Sequence, residues 1–291
     1  MKIIDGKSIS NLIKQEIKLE VDTIISKGEK PPHLAAVIVG NDGASLTYVA
    51  SKVKSCQQIG FNSTLVKLSA DILESELLKK IQELNNNDEI DGFIVQLPLP
   101  KHIDEEKVVL AIDPNKDVDG FHPTNFGKMA LNMKTFIPAT PYGIMELLKR
   151  YEIDTVGKHT VVIGRSHIVG RPISILMNSK GNPGDSTVTV VHSRTKNLEE
   201  FTKNADIIIS ALGIPDFLKS NMIKKGVVII DVGITRVKDD NHPKGYVIKG
   251  DVDFNSVKSK VSYITPVPGG VGPMTIAMLL KNTLLSREFN S

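Results

Sequence analysis

Tyr48 and Lys52 are four positions apart in the segment ASLTYVASKVKSC, so a helix would place the phenol and the amine on one face. A lysine that is partly removed from water beside a hydrogen-bonding phenol can have its pKa lowered. It is then an amine that accepts or relays a proton near neutral pH. The alternative is an exposed amphipathic helix with a chance Tyr/Lys pair, which is the commoner case for such a pair taken alone.

Gln96 and Asp119 could complete a reactive site around this amine. Gln96 follows the apolar run DGFIV and precedes the sequence LPLP, which places it at the carboxyl end of a predicted strand, where α/β sheets bind ligands. Its amide can donate or accept without titrating, so it could orient Lys52 or a substrate carbonyl. Asp119, in KDVDGFHP, offers a carboxylate suited to a ring amidine or aminopyrimidine. Its alternative is a turn aspartate before Gly120.

The segment Ile264–Thr275, ITPVPGGVGPMT, interleaves prolines with glycines and runs into the helical pattern IAMLLKNTLL. Proline fixes φ and glycine permits close backbone approach, so the pattern predicts a rigid, backbone-lined surface. At a helix N-terminus, free amides favour anionic or carbonyl groups, which suits the binding of a ligand. A tight structural turn is the alternative.

A possible dinucleotide site lies at Gly164–Gly170, GRSHIVG, where a predicted strand ends and a helix begins. A doubly wound sheet binds a pyrophosphate at that position, although the spacing is not a strict GxGxxG and a structural turn is the alternative. The next strand ends at His192–Thr195 without the acidic residue that NAD enzymes place on the ribose. Arg165 and Ser193, with Arg194 as an auxiliary, could instead bind a ribose phosphate. This favours NADP, with solvated surface arginines as the alternative.

The elements that must position these residues alternate along the chain. Short apolar, β-branched runs occur at 34–40, 63–68, 91–97, 158–164, 186–193, 205–212 and 226–233. Helical patterns occur at 8–28 after a cap signal at Ser8, and at 44–59, 72–85, from about Thr140, at 168–179 and at 273–286. Alternating strands and helices predict parallel sheets covered on both faces.

We therefore predict an α/β fold of two domains with parallel sheets, the second a Rossmann-type NADP-binding domain. The first domain covers 1–139 and is completed by the C-terminal helix 273–291, and the second covers 140–272. A chain of 291 residues that is 41% hydrophobic can bury a core in each.

Composition excludes several function classes. The net charge of +3 arises from 36 basic and 33 acidic residues that are interspersed, without the aromatic-interleaved basic run of a nucleic-acid groove. The single Cys56 rules out an internal disulfide and a multi-cysteine zinc site, and the histidines lack metal-ligand spacing, so we assign no metal. No apolar stretch approaches the roughly 18 residues that span a bilayer, and MKIIDGKSIS is not a secretion signal. We expect a cytoplasmic protein without a nucleic-acid or membrane partner.

Nine segments carry a further signal, and in chain order they are YVASK, DGFIVQLPLP, KDVDGFHP, PATPYG, VVIGRSHIVGRP, TVTVVHSRT, ADIIISALG, IIDVGI and ITPVPGGVGPMT. Together they resemble the bifunctional methylenetetrahydrofolate dehydrogenase/cyclohydrolase family along nearly the whole chain. The resemblance implies NADP-dependent oxidation of 5,10-methylenetetrahydrofolate to the methenyl form and its hydrolysis to 10-formyltetrahydrofolate. It also implies one active-site cleft between the domains and a homodimer formed through the second domains.

Carried over residue by residue, the resemblance makes Lys52 the central catalytic residue, Tyr48 its neighbour that positions the folate, and Gln96 the residue that holds and tunes the lysine. Asp119 resembles the carboxylate that anchors the pterin. The remaining folate contacts implied are Val95, Leu97, Pro268, Gly269, Gly270, Val271 and Gly272. The implied NADP contacts are Gly164, Arg165, Ser166, Ser193 and Ile234.

Two alternatives stay open at this point. One is a dehydrogenase with negligible cyclohydrolase activity. The other is a non-catalytic nucleotide-binding regulatory module, for which the second domain alone would suffice. The combination of Tyr48, Lys52 and Gln96 argues against the module, which has no need for it.

Overall fold

The protein is described here by a computed structural model that covers residues 1–243 and 245–290, and it divides into two compact units. The first unit, as we name it, comprises Asn11–Ala139 and the chain from Ile276 onward. The second unit comprises Met1–Ser10 and Thr140–Thr275.

The strands are β1 (Lys2–Ile3), β2 (His33–Val39), β3 (Asn62–Leu68), β4 (Gly92–Val95), β5 (His159–Ile163), β6 (Thr187–Val191), β7 (Ile207–Ser210), β8 (Val228–Asp231), β9 (Thr235–Lys238), β10 (Tyr246–Lys249) and β11 (Tyr263–Ile264). The helices are α1 (Gly6–Ser26), α2 (Gly43–Ile59), α3 (Glu74–Asn85), α4 (Glu105–Ala111), α5 (Pro123–Ala130), α6 (Ala139–Arg150), α7 (Gly170–Asn178), α8 (Leu198–Thr202), α9 (Phe254–Val257) and α10 (Val271–Asn290). A short 3₁₀ helix covers Ser220–Met222.

The first unit contains a parallel sheet in the order β3-β2-β4. The central strand β2 reads HLAAVIV and is buried from Leu34 to Val39, as expected for a strand that is covered on both faces. Helix α3 buries Leu77, Ile81 and Leu84, a spacing that gives it one apolar face against this sheet. Because β2 and β4 are parallel neighbours, their carboxyl ends lie at the same edge of the sheet.

The second unit contains a six-stranded parallel sheet in the order β1-β11-β8-β7-β5-β6, and β9 and β10 form a separate antiparallel hairpin. Strands β7 and β8 are completely buried. The chain runs from β5 to β6 on one side and then to β7 on the other side of β5. Such a reversal of strand order is where doubly wound sheets bind ligands. Within the described ranges, no helix combines the length and the apolar character needed to cross a membrane.

The predicted α/β fold with parallel sheets is confirmed, and several details differ. The first ten residues, expected in the first domain, belong to the second unit because Lys2 and Ile3 pair with Tyr263 and Ile264. The start of α10, Val271–Thr275, also belongs to the second unit, although the helix 273–291 was expected to complete the first domain. The sequence pattern missed the short strands β1, β9, β10 and β11 and the helices α4, α5, α8 and α9.

The start of α1 also differs from the prediction. The helix begins at Gly6, before the expected cap at Ser8. Asp5 accepts hydrogen bonds from the backbone N–H of Ser8 at 3.0 Å and from its hydroxyl. Asp5 therefore satisfies the free amide at this helix end, and Ser8 is the donor.

Candidate active site

Helix α2 fixes the relative position of Tyr48 and Lys52. Asp42 caps its start by accepting hydrogen bonds from the Ser45 N–H and hydroxyl, both at 2.8 Å, and Gly60 ends it in the left-handed region with φ of 83°. Between these ends, the Lys52 Nζ atom lies 4.7 Å from the centre of the Tyr48 ring. This is within the range of a cation–π interaction, so the pair predicted from the spacing is formed.

Gln96 orients the amine of Lys52. The Lys52 side chain is only 4% exposed, and its Nζ atom donates to Gln96 Oε1 at 3.2 Å. The Gln96 Nε2 atom donates to the Leu97 carbonyl at 2.7 Å, which turns the amide oxygen toward the lysine. The Gln96 backbone N–H donates to the Val37 carbonyl at 2.8 Å, so the residue is held at the end of the β2–β4 ladder.

Asp119 reaches the same place on a segment that runs beside β4. The backbone N–H of Phe93 donates to the Lys116 carbonyl at 2.9 Å, and Phe93 forms a parallel bridge with Asp117. Burial lowers the pKa of Lys52, and the Asp119 carboxylate opposes that change. Burial likewise raises the pKa of Asp119, and Lys52 opposes it. The structure thus brings Tyr48, Lys52, Gln96 and Asp119 together.

Cys56 lies one helical turn beyond Lys52 and is completely buried. Burial raises the pKa of Cys56 to about 12, so the thiol stays neutral near pH 7. It packs as a small apolar side chain.

The loop Gly164–Gly170 joins β5 to α7 at the carboxyl edge of the larger sheet. Ser166 Oγ accepts from the backbone N–H groups of Val169 and Gly170 at 3.2 and 3.3 Å and so caps the start of α7. A Cβ atom on Gly164 would lie 2.4 Å from the Ala211 carbonyl oxygen, so only glycine fits there. Arg165 and Ser166 are exposed on this loop.

Ser193 and Ile234 leave the same sheet edge from other strands. Ser193 lies in a turn after β6, where the Thr195 N–H donates to the His192 carbonyl at 2.8 Å. Strand β6 pairs with β5 in the register Ile163↔Val191, so Ser193 and Arg165 follow neighbouring strand ends. Ile234 follows β8, and its side chain is 59% exposed. These positions put a guanidinium, hydroxyls and an apolar surface along one edge.

The loop Pro268–Gly272 lies in the second unit, where it follows β11 and includes the first two residues of α10. The start of α1 packs directly on it: the Lys7 N–H donates to the Gly269 carbonyl at 2.9 Å, and a Cβ atom on Gly6 would lie 1.8 Å from the Gly270 carbonyl oxygen. A Cβ atom on Gly272 would lie 3.2 Å from Ile234 Cδ1. The loop and Ile234 border one cavity of about 200 Å³ within this unit.

Comparisons with known proteins identify the family of this chain. Residues 4–119 match the family model described as Tetrahydrofolate dehydrogenase/cyclohydrolase, catalytic domain, and residues 138–291 match its NAD(P)-binding domain. The chain belongs to the tetrahydrofolate dehydrogenase/cyclohydrolase family. The catalytic-domain match of this family contains Tyr48, Lys52, Gln96 and Asp119, and the NAD(P)-binding match contains the loop Pro268–Gly272.

Relatives within this family match over nearly their full length. The bifunctional protein FolD of Flavobacterium johnsoniae is 73% identical over 291 residues, which cover 100% of this chain and 99% of the relative. The structure of FolD from Campylobacter jejuni has a TM-score of 0.93 at 48% identity and covers 100% of both chains. FolD from Trypanosoma brucei, solved with NADP cofactor and an inhibitor, has a TM-score of 0.94 at 37% identity, covering 99% of this chain and 97% of that one.

Reasoning from the sequence passed over two further polar residues near this site in the family's NAD(P)-binding region. Asp231, at the end of β8, and Asp251, after β10, are 3% and 0% exposed. An acidic residue directly after the apolar run VVII was a signal for the first. Asp251 had no local signal, because its partners lie about 40 residues away along the chain.

Proposed function

We propose that this chain is a bifunctional enzyme of folate one-carbon metabolism. It oxidises 5,10-methylenetetrahydrofolate with NADP and then hydrolyses the 5,10-methenyl product to 10-formyltetrahydrofolate. The bifunctional FolD relatives, and the FolD structure that contains NADP, support both activities. The single observation that carries the proposal is the hydrogen bond between the buried Lys52 amine and Gln96, because a nucleotide-binding module alone has no use for it.

The carboxyl edge of the larger sheet suits NADP. The glycine at 164 leaves room at the strand end, and the exposed Arg165, Ser166 and Ser193 supply donors for phosphate groups. The apolar side chain of Ile234 and the small or apolar residues after β7, Ala211, Leu212 and Gly213, suit the nicotinamide ribose. When bound, NADP supplies the acceptor for the hydride that leaves the methylene carbon.

The folate-binding residues hold the substrate and keep its reactive carbon in place. Asp119 can accept two hydrogen bonds from the aminopyrimidine edge of the pterin, and the Tyr48 ring can pack against the bound folate. We assign Val95, Leu97 and the loop Pro268–Gly272 to the walls around it. Alignment of the carbon with the hydride acceptor is the main requirement of the oxidation.

The hydrolysis needs proton transfers, and we assign these to Lys52. Water adds to the methenyl carbon and loses a proton, which leaves a hydroxyl group on that carbon. The bond from the carbon to the ring nitrogen N5 then breaks as N5 gains a proton, and the hydroxyl loses its proton to become the formyl oxygen. Burial lowers the pKa of Lys52, which raises the fraction of neutral amine able to take the proton of the attacking water. The resulting ammonium can return a proton to N5, and Gln96 keeps the amine directed during both transfers.

One experiment tests this function against its alternatives. Methylenetetrahydrofolate and NADP are added to the protein, and reduced coenzyme and the methenyl absorption band are followed together. We expect reduced coenzyme to accumulate without persistent methenyl product. A methenyl band that persists would identify a dehydrogenase with negligible cyclohydrolase activity. If no coenzyme is reduced, the chain is not this enzyme and the regulatory module is favoured.

We also propose, from the family resemblance, that the protein works as a homodimer in the cytoplasm. Light scattering of the purified protein should give twice the chain mass of 31.8 kDa. A mass equal to that of one chain would contradict the dimer. Fractionation of cells that express the protein should recover it with cytoplasmic markers, and recovery with membranes or medium would contradict that location.

A further inference from the structure

Asp231 and Asp251 are buried carboxyl groups at the sheet edge that carries the proposed coenzyme contacts. Asp231 ends β8, and Asp251 follows β10 by two residues. Burying a carboxyl group is unfavourable unless its oxygens receive hydrogen bonds. The partners of these oxygens therefore indicate what the two side chains stabilise.

Asp251 holds the loop that follows β7. Its Oδ2 atom accepts from the Leu212 N–H at 2.6 Å, and its Oδ1 atom accepts from the Ile214 N–H at 3.0 Å. The Ser210 hydroxyl donates to Oδ2 at 3.3 Å. A Cβ atom on Gly233 would lie 2.3 Å from Asp251 Oδ1, so the carboxylate also packs against the loop after β8. One side chain thus fixes the backbone after one strand and touches the backbone after the next.

Asp231 holds the loop that follows β8 and connects it to Asp251. Its Oδ1 atom accepts from the backbone N–H groups of Gly233 at 3.0 Å and Asp251 at 2.9 Å, and its Oδ2 atom accepts from the Val252 N–H at 3.0 Å. Its own N–H donates at 2.7 Å to the hydroxyl of Thr265, which begins the proline- and glycine-rich loop. Through these hydrogen bonds, Asp231 connects the segments that follow β8, β10 and β11.

We propose that Asp231 and Asp251 are positioning residues that hold the nicotinamide end of the coenzyme site in shape. They do so by fixing the loops Ala211–Ile214 and Val232–Ile234, the second of which carries the proposed coenzyme contact Ile234. Neither carboxylate touches the coenzyme in this role, because its oxygens already accept from the protein backbone. The inference rests on the proposed function.

Asp251→Asn is the first test. Both Asp251 oxygens accept from backbone N–H groups, so in either orientation an asparagine directs its NH₂ group at one of them. Loss of such a charge-assisted bond should raise the Kd for NADPH and the Km for NADP by about 10- to 100-fold. NAD should be affected by a similar factor, because the nicotinamide is common to both. Hydrolysis of supplied methenyltetrahydrofolate should stay within about threefold of the wild-type rate, since its proton transfers are assigned to Lys52, which Gln96 directs, and both residues lie in the first unit.

A matched control lies at the opposite edge of the same sheet. Asp206 precedes β7, accepts from the His159 N–H at 2.9 Å and from Lys224 Nζ at 2.6 Å, and is remote in sequence from the coenzyme loops. Asp206→Asn should reduce thermal stability without changing the Kd for NADPH. Thr155→Val is a second control, at a buried position. The Thr155 hydroxyl donates to the Gly184 carbonyl at 2.8 Å, in the segment that precedes β6.

The outcomes separate this inference from the proposed function. If Asp251→Asn binds NADPH as tightly as Asp206→Asn does, while the wild type reduces NADP, the inference is wrong and the function stands. A wild-type protein that binds NADPH but reduces no NADP overturns the function instead. If Asp251→Asn unfolds at the assay temperature, Asp231→Asn takes its place in the same measurements of NADPH binding and of the Km for NADP. Its asparagine oxygen can keep the bonds from Gly233 and Asp251, and only the Val252 bond is lost.

Discussion

The two units bury ionisable side chains near the carboxyl edges of their sheets and surround them differently. In the first unit, the Lys52 amine donates to one neutral oxygen, that of Gln96, and lies over the Tyr48 ring. In the second unit, Asp251 accepts from two backbone N–H groups and a hydroxyl. The degree of burial is nearly the same, 4% and 0% exposed, so the difference lies in the partners.

This difference separates a group that reacts from a group that holds structure. The Asp251 oxygens are engaged in holding the backbone of a loop, whereas burial lowers the pKa of Lys52 and so raises the fraction of neutral amine that can take up a proton. Asp231 is intermediate: burial raises its pKa to about 7, with a smaller contribution from Asp251, although backbone donors oppose the change. If this difference holds, changes at Lys52 and Gln96 should alter proton transfer, and changes in the second unit should alter coenzyme binding.

The largest expected effect is that of Lys52→Met, which keeps an apolar stem but removes the amine. Loss of the proton-transfer group should reduce the hydrolysis of methenyltetrahydrofolate by about 10³-fold, within the range for general acid–base catalysis. Binding of NADPH, followed by fluorescence titration, should be unchanged. Hydrolysis is measured from the decay of the methenyl absorption band.

Lys14→Met is the matched control for this change. Lys14 is also a partly buried lysine of the first unit, its Nζ atom donates to Ser55 Oγ at 3.1 Å, and burial lowers its pKa as well. We expect near wild-type hydrolysis in this variant. Full cyclohydrolase turnover in Lys52→Met, or an equal loss in Lys14→Met, would remove Lys52 from its assigned role.

The sequence predicted the first unit's residues more completely than the second unit's connections. Lys52 and Tyr48 share a helix face by spacing alone, and Gln96 follows an apolar strand, so local patterns sufficed for them. The roles of these residues and of Asp119 came from the family resemblance. The partners of Asp251, however, are reached only after the chain has crossed the sheet, and no local pattern encodes them.

The short pairing of β1 with β11 could not be predicted for the same reason. It joins Lys2 to Tyr263 through two residues per strand, too few to produce a periodic pattern. By contrast, long apolar strands such as β2 and β5 were located to within about one residue, because burial on both faces makes them continuous apolar runs.

A smaller effect is expected from Arg165→Ala, which tests the exposed side chain of the second unit rather than its buried carboxylates. Removal of a charged donor to the ribose phosphate should raise the Km for NADP by about 10- to 100-fold and leave that for NAD nearly unchanged. Steady-state dehydrogenase assays with each coenzyme measure the ratio. Arg171→Ala, also exposed and six residues further along, is the control and should alter neither value. Equal losses for NADP and NAD would place Arg165 outside the phosphate site.

The smallest effect is expected from Gln96→Glu, which changes the neutral partner of Lys52 into a charged one. A carboxylate beside the amine favours its protonated form, so the pKa of Lys52 should rise, opposite in sign to the effect of burial. The pH at which hydrolysis reaches half its maximum should then increase by about one unit, and the rate near pH 7 should fall about tenfold. Gln57→Glu adds the same charge to the exposed side of α2, where solvent screens it, and should leave the profile in place. A midpoint that stays fixed or moves to lower pH in Gln96→Glu would mean that the fraction of neutral Lys52 amine does not limit the rate. The difference between Lys52 and Asp251 would then be one of hydrogen-bond partners only, without a difference in proton transfer.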